Sequence, residues 1–155
     1  MSEDRQMPSN EPIDASLAGF SALTRNWFRS AFPAPTNAQV GAWASIRNGK
    51  HTLVVAPTGS GKTLAAFLAA IDKLATGPKP TSRKHRARVL YISPLKALAA
   101  DVERNLRSPL VGLGREASRI GEPVPDITVA IRTGDTPADE RRRQAQSPPD
   151  ILITT

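Results

Sequence analysis

The stretch Ala56 to Thr63, APTGSGKT, lies between the apolar run LVVA and the helix-like run LAAFLAAIDKLA, and its reading decides the fold. A glycine-rich turn between a buried strand and a helix points successive backbone N–H groups inward, and the helix N-terminus adds partial positive charge, so an anion is stabilised there. Gly59 and Gly61 are required where a side chain would block close approach or forbid the backbone angles. Thr58 and Ser60 complete the turn. Lys62 supplies a mobile full charge toward β- and γ-phosphates, and Thr63 supplies a hydroxyl suited to Mg²⁺. The stretch departs from the G-x-x-x-x-G-K-[ST] pattern only at Ala56, which is small enough to pass for glycine. The expected ligand is ATP with Mg²⁺.

Working outward, HTLVVA is a β-branched run of strand length, and TLAAFLAAIDKLATG puts Leu64, Phe67, Leu68, Ile71 and Leu74 on one helical face before Gly77. Upstream, NAQVGAWASIRNG spaces Val40, Trp43 and Ile46 as a short helix ending at Gly49. Downstream, ARVLYIS, DITVAIRTG and ILITT read as strands. Between them SPLKALAADVERNL is a helix with Ser93 as cap and Pro94 in its first turn, and TPADERRRQAQ opens with Thr136 as cap, Pro137 at the first helical position and Asp139 three after the cap. The order β-α-β-α-β-α-β predicts an α/β fold with a mostly parallel sheet covered by helices, a P-loop NTPase lobe. Residues 1–16 read as a disordered lead-in and 17–155 as the folded part.

The 155 residues make one domain's worth of core, and no apolar run approaches the ~20 residues of a membrane span. The start MSEDRQMPSNEPID is polar and acidic where an export signal needs a basic start and an apolar stretch, and cysteine is absent; a cytoplasmic protein with no membrane contact is expected. Net charge is +7, concentrated from Lys79 onward through Arg83, Lys84, Arg86, Arg88, Lys96, Arg104, Arg107, Arg115, Arg119, Arg132 and Arg141 to Arg143. Such an imbalance attracts polyanions, nucleic acid among them.

AFPAPTNAQ, residues 31–39, resembles the Q motif of superfamily 2 DEAD/DEAH-type helicases, usually G-F-x-x-P-T-x-x-Q, with Ala31 where glycine is common. The resemblance implies that Gln39 reads adenine, and a carboxamide that both donates and accepts has the chemistry to do so. SPLKALAAD looks like motif Ia of the same superfamily, RTGD like its TGD segment and ILITT like the approach to motif Ib. The resemblance thereby places Ser93, Pro94, Lys96, Thr133, Gly134 and Thr155 against a nucleic-acid backbone, with no reading of bases. In wording, SPLKALAADVERNL, RTGDTPADERRRQ and PPDILITT are most like the large helicase-related (Lhr) group, from about Phe20 to Thr155.

That likeness implies a RecA-like lobe, incomplete here, of a two-lobed motor that hydrolyses ATP and moves 3′ to 5′ along single-stranded or partly duplex DNA, with RNA as the alternative polymer. Phe20 and Phe28 are the upstream aromatics for stacking on adenine, although packing suits both, as it does Trp27 and Trp43. The acidic D-E-x-H stretch of the superfamily is missing. The only D-E, Asp139-Glu140, follows a capping threonine on a helix and does not end a strand. A second RecA-like lobe is also expected outside these residues, and the chain by itself is expected to bind nucleotide and barely hydrolyse it. Another P-loop enzyme, such as a nucleotide or small-molecule kinase, and a non-catalytic basic module remain the alternatives.

Overall fold

The computed structural model describes residues 15–155. Most of the lead-in expected to be disordered lies outside the described residues; its last two positions, 15 and 16, are helical. Helix α1, Ala22–Ala31, is capped by Ser21, whose hydroxyl accepts from Thr24 N–H and donates to Asp72 at 2.6 Å. A cap side chain with two partners fixes both where the helix begins and which neighbour it meets. Helix α2, Asn37–Arg47, starts in a reciprocal capping box between Thr36 and Gln39 and stops before Gly49, whose φ of 71° only glycine adopts cheaply. Helix α3, Lys62–Thr76, buries Phe67, Leu68, Ile71 and Leu74 as its spacing predicts.

A three-stranded parallel sheet follows, with β1 Val89–Ile92, β2 Val129–Arg132 and β3 Ile151–Thr154 in the order β1-β3-β2. Helix α4, Lys96–Ile120, joins β1 to β2, and helix α5, Ala138–Gln146, joins β2 to β3. The central strand β3 buries Ile151 and Ile153 completely, as a strand flanked on both sides must. Phe20, Phe28 and Trp43 meet edge to face at 5.1 and 5.5 Å between centroids and form, with Leu17, the core beneath α1 and α2.

Four expectations need correction. HTLVVA forms no strand: residues 51–57 carry no ladder, and Leu53 and Val55 are 89% and 87% exposed. An extended run becomes a strand only when a neighbour accepts its hydrogen bonds, and the ladder of the three strands does not include it. Ser93 does not cap α4. The helix begins at Lys96 with Leu95 at the cap position, Pro94 stands before it, and the Ser93 hydroxyl donates to Leu95 O at 3.0 Å. Thr136 does not cap α5, because its hydroxyl accepts instead from Thr133 N–H at 2.9 Å and closes the preceding turn; Pro137 takes the cap position. Val40, spaced in the sequence with Trp43 and Ile46, does not share their burial: it is 38% exposed, while Trp43 is fully buried.

Candidate nucleotide site and strand-end face

The phosphate loop is built on two left-handed glycines, Gly59 at φ 83° and Gly61 at φ 77°. Gly61 is also the cap residue of α3 and offers no side chain to the helix end. The N–H groups of the first turn, Lys62 to Leu64, therefore point out of the helix with no intrahelical acceptor, and their dipoles converge on the loop. The buried Ser60 hydroxyl has no hydrogen-bond partner among the described residues. A cradle of spare donors with an orphaned hydroxyl fits a phosphate chain. Lys62 Nζ donates to Ala56 O and Pro57 O, both at 2.6 Å, so its ammonium lies across the mouth of the loop on two carbonyls, with one of its three donor hydrogens still free. Thr63 is half-buried one residue into the helix.

Gln39 stands directly against this loop. It is 5% exposed, its Nε2 donates to Gly61 O at 3.3 Å, and its Oε1 accepts from Thr36 N–H at 3.0 Å. A carboxamide has two donor hydrogens and two acceptor lone pairs, so one of each remains for a base. Thr36 makes a second tie, its hydroxyl accepting from Gln39 N–H at 3.3 Å and donating to Ser60 O at 2.9 Å. A Cβ built on Gly61 would lie 2.4 Å from Gln39 Nε2, so this approach itself demands glycine. Beside it opens a cavity of about 550 Å³, lined by Trp27, Phe32, Gln39, Thr63 and Leu64 and by Asn105 and Arg115 of α4. Phe20 and Phe28, the aromatics expected to stack on a base, are sealed in the core at 3% and 1% exposure. The half-open ring that lines this cavity with Gln39 is Phe32, 40% exposed and inside the Q-like stretch itself, where the sequence singles out no aromatic.

The remaining site residues gather at the C-terminal ends of the strands. Ile92, Thr154 and Arg132 are register partners across the sheet, so Ser93, Thr155 and Thr133 follow in one row. Lys96 ion-pairs with Asp135 at 2.5 Å, which ties the start of α4 to the turn after β2. Gly134 is exposed at that turn, and Arg141 binds it from beneath, donating to Thr133 O, Gly134 O and Thr136 O. Pro94 and Thr155 are exposed. Ser93 differs: it is 1% exposed, its N–H donates to Thr154 O at 2.8 Å, and its hydroxyl is turned to Leu95 O. Its groups are spent inside the protein, and it shapes the row without presenting a hydroxyl from it. Asp139 pairs with Arg143, and Glu140 accepts from Gln144 within α5.

The DEAD/DEAH box helicase model matches residues 36–155, the span from the Q-like threonine to the last strand. The chain belongs to the DEAD/DEAH box helicase family. It is 61% identical over 139 residues to the Lhr helicase/probable uracil glycosylase of Mycolicibacterium smegmatis, which covers 90% of this chain and 9% of that protein. To the Lhr helicase/uracil glycosylase of Escherichia coli it is 53% identical over 140 residues, 88% of this chain and again 9% of the relative. The solved structure of the Mycobacterium smegmatis helicase Lhr bound to ssDNA and AMP-PNP matches with a TM-score of 0.82 at 61% identity, over 90% of this chain and 17% of that one. The chain thus spans about a tenth of these curated relatives. Within the helicase family the likeness to the Lhr group, carried in sequence by the segments around Ser93, Thr133 and Thr155, is borne out.

Besides Phe32, two contributors were not anticipated from sequence. Thr36 with Gln39 is a T-x-x-Q pair, the signature of a capping box, so its structural half was there to be read. Arg141 had no local signal, since its acceptors are backbone carbonyls five to eight residues away.

Proposed function

We propose that this chain is the ATP-holding part of an Lhr-type, ATP-dependent DNA helicase. The observation that carries the reading is the phosphate loop itself, two left-handed glycines opening an uncapped helix with Lys62 across its mouth and Gln39 pressed against Gly61. Lys62 exchanges two carbonyl partners for phosphate oxygens, and the first-turn N–H groups hold the same chain from the other side. Gln39 uses its spare donor and acceptor on adenine, with Phe32 at the rim of the same cavity. Thr63 is the residue that would hold Mg²⁺, an ion that neutralises charge building up on the phosphates when bound. Lys96, Thr133, Gly134 and Thr155 line the row that meets a DNA backbone, with Ser93 and Pro94 setting its shape.

Movement from 3′ to 5′ along single-stranded DNA, strand displacement and a second RecA-like lobe are what the likeness to the Lhr group implies for the longer protein. The acidic residues that orient the attacking water are not in this sequence, so this polypeptide binds nucleotide with little turnover. The test is a mantATP titration: fluorescence rises and saturates for the wild-type chain and stays flat for Lys62→Ala. Equal titrations for both would overturn the reading.

A further inference from the structure

Part of the positive charge sits where the strand-end row cannot use it. The segment 78–88 connects α3 to β1 and enters the sheet at its N-terminal end, one strand length, roughly 13 Å at ~3.3 Å per residue, from the row that holds Lys96 and Thr133. Its cations divide into two groups. Arg86 donates to Asp150 at 3.0 Å and to Asp126 at 2.8 Å, Lys79 pairs with Asp126 at 3.1 Å, and Arg88 donates to Pro78 O while lying 3.7 Å from Asp150. Asp150 is buried, and it also accepts from the N–H and hydroxyl of Thr128. These three cations therefore pin the segment to the bottom of β2 and β3 and engage both carboxylates.

The second group is Arg83, Lys84 and His85, a single 3-10 turn capped by Ser82. All three are exposed, and neither Arg83 nor Lys84 forms an ion pair among the described residues. Helix α5 packs against this turn, and its Arg142 is likewise exposed and without an ion pair among the described residues. The turn is thus a fixed cationic platform, since the groups that could have neutralised it are consumed in holding it. The cavity under it, about 70 Å³, is too small for a nucleotide or a peptide side chain, so what it recognises is a surface.

We propose that the turn Arg83–His85 is a second docking point for nucleic-acid phosphate, engaging a stretch of backbone other than the one at the strand ends. Arginine and lysine without internal acceptors suit phosphate oxygens, and the cavity beside them is too small for a base, so the contact is indifferent to sequence.

The test measures binding of the 155-residue chain to a fluorescein-labelled 40-nucleotide single strand at several salt concentrations. The double variant Arg83→Ser/Lys84→Ser is compared with Lys50→Ser/Lys73→Ser, which removes the same charge from exposed positions elsewhere. Loss of two phosphate contacts lowers the slope of log K against log[salt] by about 1.4, at ~0.7 per phosphate on single strands, while the control keeps the wild-type slope. Equal slopes in all three proteins, or an equal drop in both variants, would overturn the proposal. So would unchanged DNA binding with lost retention of a polyglutamate peptide, which would assign the turn to an acidic protein. Neither turn side chain makes a tertiary bond among the described residues, so circular dichroism should confirm intact variants. MantATP binding reads the phosphate loop alone, and the two readings fail separately.

Discussion

Gly61 carries three demands at once: a φ of 77°, the cap position of α3, and a contact with Gln39 that leaves no room for a Cβ. Gly61→Ala is expected to cost about 1–2 kcal/mol in urea unfolding from the left-handed backbone alone, and to abolish mantATP binding by pushing Gln39 off the loop. Gln39→Ala separates its two roles. Loss of half the capping box should cost about 1 kcal/mol, and preference for mantATP over mantGTP should fall while affinity for inorganic tripolyphosphate stays within twofold. A parallel loss of tripolyphosphate affinity would show that Gln39 serves the loop alone. The glycines and the lysine were legible because their chemistry is local: positive φ and an uncapped helix start leave a fixed spacing in the sequence. Phe32 was not, since which ring stays open depends on which aromatics the core consumes, and Phe20, Trp27, Phe28 and Trp43 were consumed first.

Among the elements, the faces of α2 and α3 were read more surely than the starts of α4 and α5, while α1 and the half of α4 beyond Leu106 were not read at all. The face of α3 is a periodicity that survives any tertiary context, whereas the starts of α4 and α5 were decided by hydroxyls that found better acceptors or donors nearby, Ser93 at Leu95 O and Thr136 at Thr133 N–H. The run 51–56 shows the limit of strand reading, because its apolar residues announce a burial that only a neighbouring strand can supply. Segment 78–88 permits two predictions. Asp150→Ala leaves Thr128 N–H without its acceptor and takes from Arg86 one of its two carboxylate partners, and should cost about 1–3 kcal/mol in chemical denaturation. Asp126 is held below the usual carboxylate range, first by its hydrogen bond to Arg86 and then by that to Lys79. A depressed folded-state pKa contributes stability above the unfolded value and loses it as pH falls through the folded one. Melting temperature should therefore drop more steeply below about pH 4 for wild type than for Asp126→Asn, and parallel curves would remove this pair from the acid response.

On the scale of the whole molecule, the parallel sheet, its helical cover and the gathering of site residues at one end were all foreseeable, because alternating strands and helices admit few arrangements. Which strands lie at the edges was not, since sheet order is set by contacts far apart in sequence. In the order β1-β3-β2 the strand β1 is an edge, and Leu90 and Ile92 on it are 61% and 67% exposed; Leu53 and Val55 are barer still. Sedimentation velocity should show reversible self-association rising with concentration, and Leu90→Lys should suppress it, since a charge on an edge blocks strand pairing. A wild-type chain monomeric at every concentration would refute this. The same bare edge sets how the molecule answers to its solvent. A net charge of +7 holds identical copies apart, and added electrolyte shortens the reach of that repulsion while leaving apolar attraction intact. Ionic strength thus works in opposite senses on its two kinds of company, loosening polyanions while allowing sister molecules to meet.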